Sequence, residues 1–235
     1  MAAHRGASIL HPENTLAAFR SAAALGVAVQ EFDVRELQDG ELVCVHDATF
    51  SRTTNAAELL GADRPVDQCN LAEVLQLDCG RGERVPTLAA ALDVMLPGAV
   101  PLIEHKAGRA RTYVDAINDG GYQDSVVLQS FDWQFLREVA QLNPNVALAA
   151  LGPTPTCPQP DDEAINQLRD LRAAALHWRA ADLTLGDVER AHKAGLLVFS
   201  YTTDDAAGWQ RGRELQIDAM CTNDPANMVS FLKRT

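Results

Sequence analysis

The amino-acid sequence alternates short apolar, β-branched segments with segments whose apolar residues recur at the period of an α-helix. The candidate strands begin near Ala2, Ala28, Val100, Ser125, Val146, Ala173, Leu196 and Asp218. The candidate helices span residues 15–25, 88–96, 110–119, 133–142, 161–171, 185–194, 206–215 and 226–232. Eight such units predict an α/β fold, a TIM (β/α)8 barrel. An open, doubly wound sheet is the alternative, but it normally carries a glycine-rich phosphate-binding first turn, which this sequence lacks.

Two segments interrupt the alternation. Residues 47–86 are too long for a simple loop and include a short helical stretch at 71–77, so we expect a small insertion after the second strand and its hairpin. Residues 151–160 contain four prolines and predict a stiff surface loop after the fifth strand. No linker divides the chain, so we expect one domain over residues 1–235, with 47–86 as its insertion.

The charge balance and the cysteines restrict the partners and the compartment. With 32 acidic and 20 basic residues the net charge is −12, so we expect neither nucleic acid nor stable membrane association. No apolar run reaches the length of a membrane span, and the N-terminus lacks the regions of a secretory signal. Five cysteines without a C-x-x-C pair favour free thiols in a reducing cytoplasm over a disulfide framework or a zinc site. The oligomeric state stays open.

Two predicted strands carry charged side chains at alternate positions. Because alternate residues of a strand share a face, Glu31 and Asp33 point the same way, as do Glu104 and Lys106. Inward carboxylates are costly unless a cation neutralises them, and an all-oxygen site suits Mg²⁺ or Ca²⁺ better than zinc. Lys106 would then face an anionic substrate oxygen. The structural alternatives are a solvated edge strand and a plain Glu104–Lys106 ion pair.

Two histidines can reach the same site. The Asp39-Gly40 dipeptide between apolar residues predicts a two-residue hairpin turn, whose register puts His46 opposite Asp33. His4 and Arg5 end the first strand, at the end of a barrel where active sites form, and Arg5 offers a planar donor fork for phosphate. A surface loop histidine and an accidental His-Arg-Gly sequence are the alternatives.

Other residues carry weaker signals. Glu13 either supports the metal site or favours the positive end of the first helix. Phe131 and Trp178 follow predicted strands, where each either lines a pocket or packs in the core. His105 faces away from the carboxylates, which predicts a packing role, and His177 carries no functional signal.

The ordered set of motifs resembles one family, the glycerophosphodiester phosphodiesterases. The motifs extend from residue 4 to about residue 225 and are His4-Arg5-Gly6, Pro12-Glu13-Asn14-Thr15, Glu31-x-Asp33, Asp39-Gly40, His46-Asp47, Arg52-Thr53-Thr54, Pro86-Thr87-Leu88, Glu104-x-Lys106 and Thr222-Asn223-Asp224-Pro225. Each motif alone is unspecific, whereas the set in this order is specific. Two positions depart from the family pattern: Tyr201 stands where Trp is frequent, and Gln30 stands where an aliphatic residue is common. Tyr201 still offers an aromatic wall.

The resemblance implies a TIM barrel that hydrolyses glycerophosphodiesters to an alcohol and sn-glycerol 3-phosphate. One divalent cation, Mg²⁺ or Ca²⁺, would be held by Glu31, Asp33 and Glu104. His4 and His46 would act as general acid and base, with the individual roles open. In the family's usual account the glycerol 2-hydroxyl attacks phosphorus, and water opens the cyclic phosphate. The phosphate and substrate contacts would come from Arg5, Lys106 and Tyr201.

Three other functions stay open. A related barrel phosphodiesterase acting on lysophospholipid or phosphoinositide head groups would need an exposed apolar rim, and loop 151–160 has few large apolar residues. A zinc hydrolase is disfavoured because no H-x-H pair ends a strand. A non-enzymatic barrel that binds phosphodiesters predicts the loss of a catalytic histidine or a metal carboxylate, yet all five are present.

Overall fold

The computed structural model describes residues 1–61, 64–96 and 98–234. The strands in this part of the chain are β1 (Ala2–His4), β2 (Val29–Glu36), β3 (Leu42–Cys44), β4 (Val100–Ala107), β5 (Val127–Ser130), β6 (Ala147–Gly152), β7 (Ala175–Arg179), β8 (Leu197–Tyr201) and β9 (Ala219–Thr222). All except β3 pair in parallel, in the order β1-β9-β8-β7-β6-β5-β4-β2, and β1 pairs with β2 to close the ring. The predicted eight-stranded TIM barrel is confirmed, and each predicted strand begins within two residues of the observed one.

Helices surround the barrel. In the described residues they are α1 (Leu16–Ala24), α2 (Ala56–Leu59), α3 (Leu71–Val74), α4 (Leu88–Met95), α5 (Ala110–Asp119), α6 (Trp133–Leu142), α7 (Asp162–Asp170), α8 (Leu185–Lys193), α9 (Ala206–Glu214) and α10 (Pro225–Leu232). Most of the long ones begin after a Thr or Asp whose side chain accepts a backbone N–H of the first turn, as Thr15 does for α1 and Asp132 for α6. None of the described helices has the length and hydrophobicity needed to cross a membrane.

The main core lies between the barrel and the helices. Phe32, Ile103 and Leu128 are the outward-facing residues of their strands and are fully buried there. Trp178 belongs to the same core, and a Cβ placed on Gly152 would lie 1.9 Å from its ring. Trp178 therefore packs in the core, which decides between its two predicted roles. The five cysteines are free thiols.

The insertion of residues 47–86 has a small core of its own. Phe50, Val66, Val74 and Leu77 are buried against apolar residues of the β2–β3 hairpin. The predicted helical stretch 71–77 is present as α3, which is shorter, and the insertion also contains α2 and a 3₁₀ turn at Val66–Gln68. The organisation of residues 1–235 as one domain stays a prediction.

The hairpin turns through three residues, 38–40. The N–H of Leu37 donates to the carbonyl of Glu41 at 2.8 Å, and Gly40 has φ +87°, a left-handed conformation that glycine adopts without strain. The predicted two-residue turn is therefore wrong. A glycine after Asp is compatible with both loop lengths, so the dipeptide alone does not choose between them.

The hairpin register shifts by one residue as a result. Val45 donates its N–H to the carbonyl of Asp33 at 3.0 Å, so Val45, and not His46, lies opposite Asp33. The predicted pairing of His46 with Asp33 is wrong. His46 follows the end of β3 and approaches the barrel from the loop. A smaller correction concerns loop 151–160, because β6 continues through Gly152 before the chain becomes irregular.

Candidate active site

Three carboxylates meet at the carboxyl ends of β2 and β4. Glu31, Asp33 and Glu104 are buried inside the barrel, and each offers an oxygen within 4.8 Å of the others. The parallel register puts Asp33 beside Glu104, and the alternation of β2 puts Glu31 on the same face. The predicted inward cluster is confirmed as a geometric arrangement.

The cluster carries an electrostatic cost that a cation would remove. Burial, followed by the charges of Asp33 and Glu104, raises the pKa of Glu31 well above its usual value. Burial and the charge of Asp33 raise the pKa of Glu104 to about 7. Asp33 Oδ1 is buried without a hydrogen-bond partner among the described residues. An orphaned carboxylate oxygen within an all-oxygen donor set fits a hard divalent cation.

The second oxygen of Asp33 is held by two side chains. Asn14 Nδ2 donates to Asp33 Oδ2 at 2.9 Å, and Arg5 Nε lies 3.1 Å from the same oxygen. Asn14 Oδ1 accepts the backbone N–H of Asp33 at 3.2 Å, so the amide fixes both groups. The motif Pro12-Glu13-Asn14-Thr15 by itself indicates no role for Asn14. Its φ of +56° is a conformation that Asn tolerates better than most residues.

His4 lies at the end of β1 beside the carboxylates. Its Nδ1 is 2.7 Å from Asn223 Oδ1, and its Nε2 is 3.9 Å from Glu31 Oε2. An amide oxygen only accepts, so Nδ1 carries the proton and Nε2 is the ring nitrogen left for chemistry. Burial is the largest cause that lowers the pKa of His4, and the charge of Arg5 lowers it further. The imidazole is therefore neutral near pH 7.

His46 has a charged partner where His4 has a neutral one. Its Nδ1 is 2.6 Å from Asp47 Oδ1, and its side chain is 34% exposed. The hydrogen bond from Arg52 is the main cause that holds the pKa of Asp47 well below its usual value, so this carboxylate is ionised and accepts. His46 thus also donates from Nδ1 and keeps Nε2 for chemistry.

Both imidazoles open into one cavity of about 240 Å³ inside the carboxyl end of the barrel. It is lined by His4, Arg5, Glu31, His46, Glu104, Lys106, Gln129, Phe131, Leu151, His177, Tyr201, Thr202 and Cys221. Seven of the eight predicted site residues are in this lining, and Asp33 is in the carboxylate cluster with Glu31 and Glu104.

Two cations give the cavity positive charge within an acidic protein. Lys106 Nζ lies 2.8 Å from Glu104 Oε1 and 3.8 Å from Asp33 Oδ1. The Glu104–Lys106 ion pair left open above is therefore present, and both residues also line the cavity. Arg5 Nη1 donates to Glu13 Oε1 at 2.8 Å, so its charge is shared between Glu13 and Asp33.

A chain of ion pairs through Arg52 connects the insertion to Arg5 and to His46. Arg52 donates to the two oxygens of Glu13 at 2.9 and 2.7 Å, and its Nε lies 2.5 Å from Asp47 Oδ2. Glu13 binds Arg5, and Asp47 binds His46. Glu13 thus supports the carboxylate cluster through Arg5, one contact away from it. No role was predicted for Arg52 beyond its motif.

The floor of the cavity contains a pair that the sequence analysis missed. His177 Nδ1 is 2.6 Å from Gln129 Oε1, and Gln129 Nε2 is 3.5 Å from Glu31 Oε1. Burial lowers the pKa of His177 to about 3, so this ring is neutral. The sequence does contain a signal for His177. Neighbouring residues of β7 face opposite ways, so the outward direction of Trp178 implies that His177 faces the inside of the barrel. His105, by contrast, stacks on Phe135 at 3.5 Å as predicted for a packing residue.

One wall of the cavity is aromatic and apolar. The hydroxyl of Tyr201 donates to the carbonyl of Gly152 at 2.7 Å, which fixes the ring at the end of β8. Phe131 contacts it edge-on with ring centroids 5.9 Å apart and is 40% exposed at the mouth. Leu151 completes this wall. The cavity therefore has a polar, charged side and an apolar side.

Comparison with known proteins agrees with this arrangement. The profile of the Glycerophosphoryl diester phosphodiesterase family matches residues 4–227. A glycerophosphodiester phosphodiesterase of Caldanaerobacter subterraneus subsp. tengcongensis is 29% identical over 246 aligned residues, which cover 99% of this chain and 97% of the relative.

Two solved structures share the fold over nearly the whole chain. A phosphodiesterase of Oleispira antarctica, in complex with the product sn-glycerol-3-phosphate, has a TM-score of 0.88 and 27% identity and covers 99% of this chain and 96% of its own. A glycerophosphodiester phosphodiesterase from Agrobacterium tumefaciens has a TM-score of 0.82 and 26% identity and covers 97% of this chain and 98% of its own. The chain therefore belongs to the glycerophosphoryl diester phosphodiesterase family, a family of phosphoric diester hydrolases.

Proposed function

We propose that this protein hydrolyses glycerophosphodiesters to an alcohol and sn-glycerol 3-phosphate, with one divalent cation, Mg²⁺ or Ca²⁺, and two histidines. The observation that carries the proposal is the meeting of three buried carboxylates and two imidazoles around one cavity. The Oleispira antarctica relative, whose structure holds sn-glycerol-3-phosphate, supports the substrate class.

Glu31, Asp33 and Glu104 are the residues that would hold the cation. When bound there, a divalent cation supplies Lewis-acid stabilisation of phosphoryl oxygen charge. Arg5 and Lys106 bind the phosphate oxygens, and together with the cation their charges offset the three carboxylates, so that the site attracts an anion although the whole protein carries −12. Tyr201 and Phe131 line the space for the alcohol group.

The different partners of the two histidines support different roles. His4 is neutral, and its partner is the uncharged amide of Asn223, so its Nε2 is suited to accept the proton of the glycerol 2-hydroxyl. His46 donates from Nδ1 to the ionised Asp47, and its Nε2 is the ring nitrogen that is left to face the cavity. We assign His46 as the acid that protonates the leaving alkoxide from Nε2.

The proton transfers balance over two steps. In the first, His4 takes the proton of the 2-hydroxyl, the 2-oxygen attacks phosphorus, and the alcohol leaves with a proton from His46. In the second, His46 takes a proton from water, which attacks the cyclic phosphate, and His4 returns its proton to the 2-oxygen. The product is sn-glycerol 3-phosphate, and both histidines regain their first protonation states.

The experiment is release of glycerol 3-phosphate from glycerophosphocholine, measured with Mg²⁺, with Ca²⁺ and with a chelator. We expect activity with a cation, loss of it with the chelator and recovery when the cation is restored. Glu104→Gln removes one of the proposed ligand charges and should abolish cation-dependent activity, whereas Glu189→Gln on the exposed face of α8 serves as the matched control. Undiminished release in the chelator contradicts the metal role.

A lysophospholipid substrate is the second candidate, because apolar side chains are exposed at the active end of the barrel. Phe131 lies at the mouth, and Ile9 and Leu10 are exposed in the loop after β1. The N–H of Ile9 donates to the carbonyl of Asn223, so this loop lies beside His4. Turnover of lysophosphatidylcholine in preference to glycerophosphocholine, lost in Ile9→Ser, would favour this candidate.

The proposed cellular setting follows from the same chemistry. A small-molecule diester as substrate, no nucleic-acid partner and a reducing cytoplasm agree with the net charge of −12 and the five free cysteines. Localisation of a tagged chain tests the compartment.

A further inference from the structure

Asp204 makes three contacts with the segment that orients His4. Its Oδ1 accepts the backbone N–H of Asn223 at 2.7 Å and the hydroxyl of Thr222 at 3.0 Å. Its Oδ2 accepts from Asn223 Nδ2 at 2.8 Å. Asp204 lies in the loop after β8 and is exposed, and its three hydrogen bonds go to Thr222 and Asn223, neither of which lines the cavity.

The contact to Nδ2 decides which way the Asn223 amide points. An ionised carboxylate only accepts hydrogen bonds, so the Asn223 atom that faces Asp204 must be the NH₂ group. The amide oxygen then faces His4 Nδ1, 2.7 Å away, and can only accept from it. The proton of the neutral imidazole is therefore on Nδ1, and Nε2 presents its lone pair towards the carboxylates and the cavity.

We propose that Asp204 is a positioning residue for His4, because it fixes the Asn223 amide and thereby selects the Nδ1–H tautomer of the imidazole. The proposal deepens the assignment of His4 as the general base and rests on that proposed function for its catalytic consequence. The tautomer itself is a property of the protein alone, and it does not depend on the substrate.

Asp204→Asn is the variant with the clearest consequence. The backbone N–H of Asn223 can only donate, so the oxygen of the new amide stays against it and the new NH₂ group faces the Asn223 side chain. Two NH₂ groups cannot face each other, so the Asn223 amide turns over. The NH₂ group of Asn223 then faces His4 Nδ1 and donates one hydrogen to it. Its second hydrogen can be accepted by Ser8 Oγ, which in the wild-type structure lies 3.3 Å from Asn223 Oδ1. The proton of His4 moves to Nε2.

The tautomer is measured directly by long-range ¹H–¹⁵N correlation NMR of the metal-free protein at pH 8. We expect His4 to be protonated at Nδ1 in the wild type and at Nε2 in Asp204→Asn. In the Nε2–H tautomer, Nε2 has no free lone pair and cannot accept the proton of the 2-hydroxyl. The value of kcat should therefore fall by about 10²–10⁴-fold. KM for the diester and the Kd of the cation should stay at the wild-type values, because Asp204 touches neither group.

Two controls separate positioning from a structural effect. Thr222→Val removes the hydroxyl that donates to the same Asp204 oxygen and accepts the N–H of Asp224, but it leaves the amide contacts, so His4 should keep its Nδ1 proton. Asp124→Asn removes an exposed carboxylate before β5, at the opposite end of the barrel, and should keep the wild-type kcat. A loop that merely loses stability would lower Tm in Asp204→Asn and Thr222→Val alike.

The outcomes distinguish the proposal from the proposed function. If Asp204→Asn keeps the Nδ1–H tautomer, the positioning role is wrong, whatever the wild-type enzyme hydrolyses. If the tautomer changes but wild-type protein releases no glycerol 3-phosphate from any glycerophosphodiester, the proposed function is wrong and the positioning of His4 stands.

Discussion

His46 donates from Nδ1 to Asp47 Oδ1 at 2.6 Å, so one imidazole of the site has a carboxylate as its hydrogen-bond partner. His4 has a neutral amide in the equivalent place, 2.7 Å from its Nδ1. Both partners hold the proton on Nδ1 and leave Nε2 free, but the one behind His46 is charged and the one behind His4 is neutral. This asymmetry underlies the assignment of the acid and the base, and it leads to the first prediction.

His46→Ala should lower kcat for glycerophosphocholine by about 10²–10⁴-fold, because the leaving alkoxide loses its proton donor. In a single turnover, release of nitrophenolate from the p-nitrophenyl ester of glycerol phosphate should fall much less, since a nitrophenolate leaves without a proton and the second step is not needed for its release. His4→Ala should lose the first step on both substrates. Equal losses for His46→Ala in the single-turnover release of the two alcohols would exclude His46 as the acid.

Arg52→Met should lower kcat although Arg52 does not line the cavity. The guanidinium holds Asp47 behind His46 and Glu13 behind Arg5, and no other described cation bridges these two carboxylates. Because Arg52 is half exposed, the free energy of unfolding should change by less than about 1 kcal/mol. Arg111→Met, which removes an exposed pair with Asp115 on α5, should change neither quantity. A wild-type kcat in Arg52→Met contradicts the role of the ion-pair chain.

Stabilisation by the cation should increase with pH. The pKa of Glu104 is raised to about 7 and that of Glu31 is also raised, so below pH 7 a cation must displace protons from the metal-free site. Above pH 7 Glu104 is ionised beside the charge of Asp33, which destabilises the metal-free protein, and cation binding removes this repulsion. At a cation concentration of 100 Kd the gain is about 2.7 kcal/mol. Scanning fluorimetry should show a larger increase in Tm at pH 8 than at pH 6, and Glu104→Gln should reduce the difference.

Acid should destabilise the protein partly through His177. Its pKa is lowered to about 3 by burial, whereas it is about 6.5 in the unfolded chain. The unfolded state therefore binds a proton that the folded state does not between these values, and stability is lost as pH falls from about 6.5 towards 3. His177→Gln should reduce the slope of unfolding free energy against pH by up to about 1.4 kcal/mol per pH unit.

Urea unfolding of wild type and His177→Gln at pH 5 and pH 7 measures this difference, and the carboxylates that titrate in the same range cancel in the comparison. His192→Gln, which alters a partly exposed histidine paired with Asp218, is the matched control. Identical slopes for wild type and His177→Gln would mean that His177 is protonated in the folded state.

The amino-acid sequence determined the strands, the helices and the faces of the charged side chains. Periods of 2 and 3.6 residues are local properties, so the inward direction of Glu31, Asp33 and Glu104 followed from alternation once a barrel was predicted. These predictions agree with the structure because no distant contact is needed to make them.

Only the tertiary structure decided the partners that give each site residue its chemistry. Asp204, Asn223 and His4 are brought together when β9 closes against β1, and Gln129 lies far along the chain from both His177 and Glu31. The hairpin register depended on one residue of loop length, which moved His46 from the strand into the loop. Hydrogen bonds between distant residues depend on how the whole barrel closes. The pattern of neighbouring residues in the sequence does not determine that geometry.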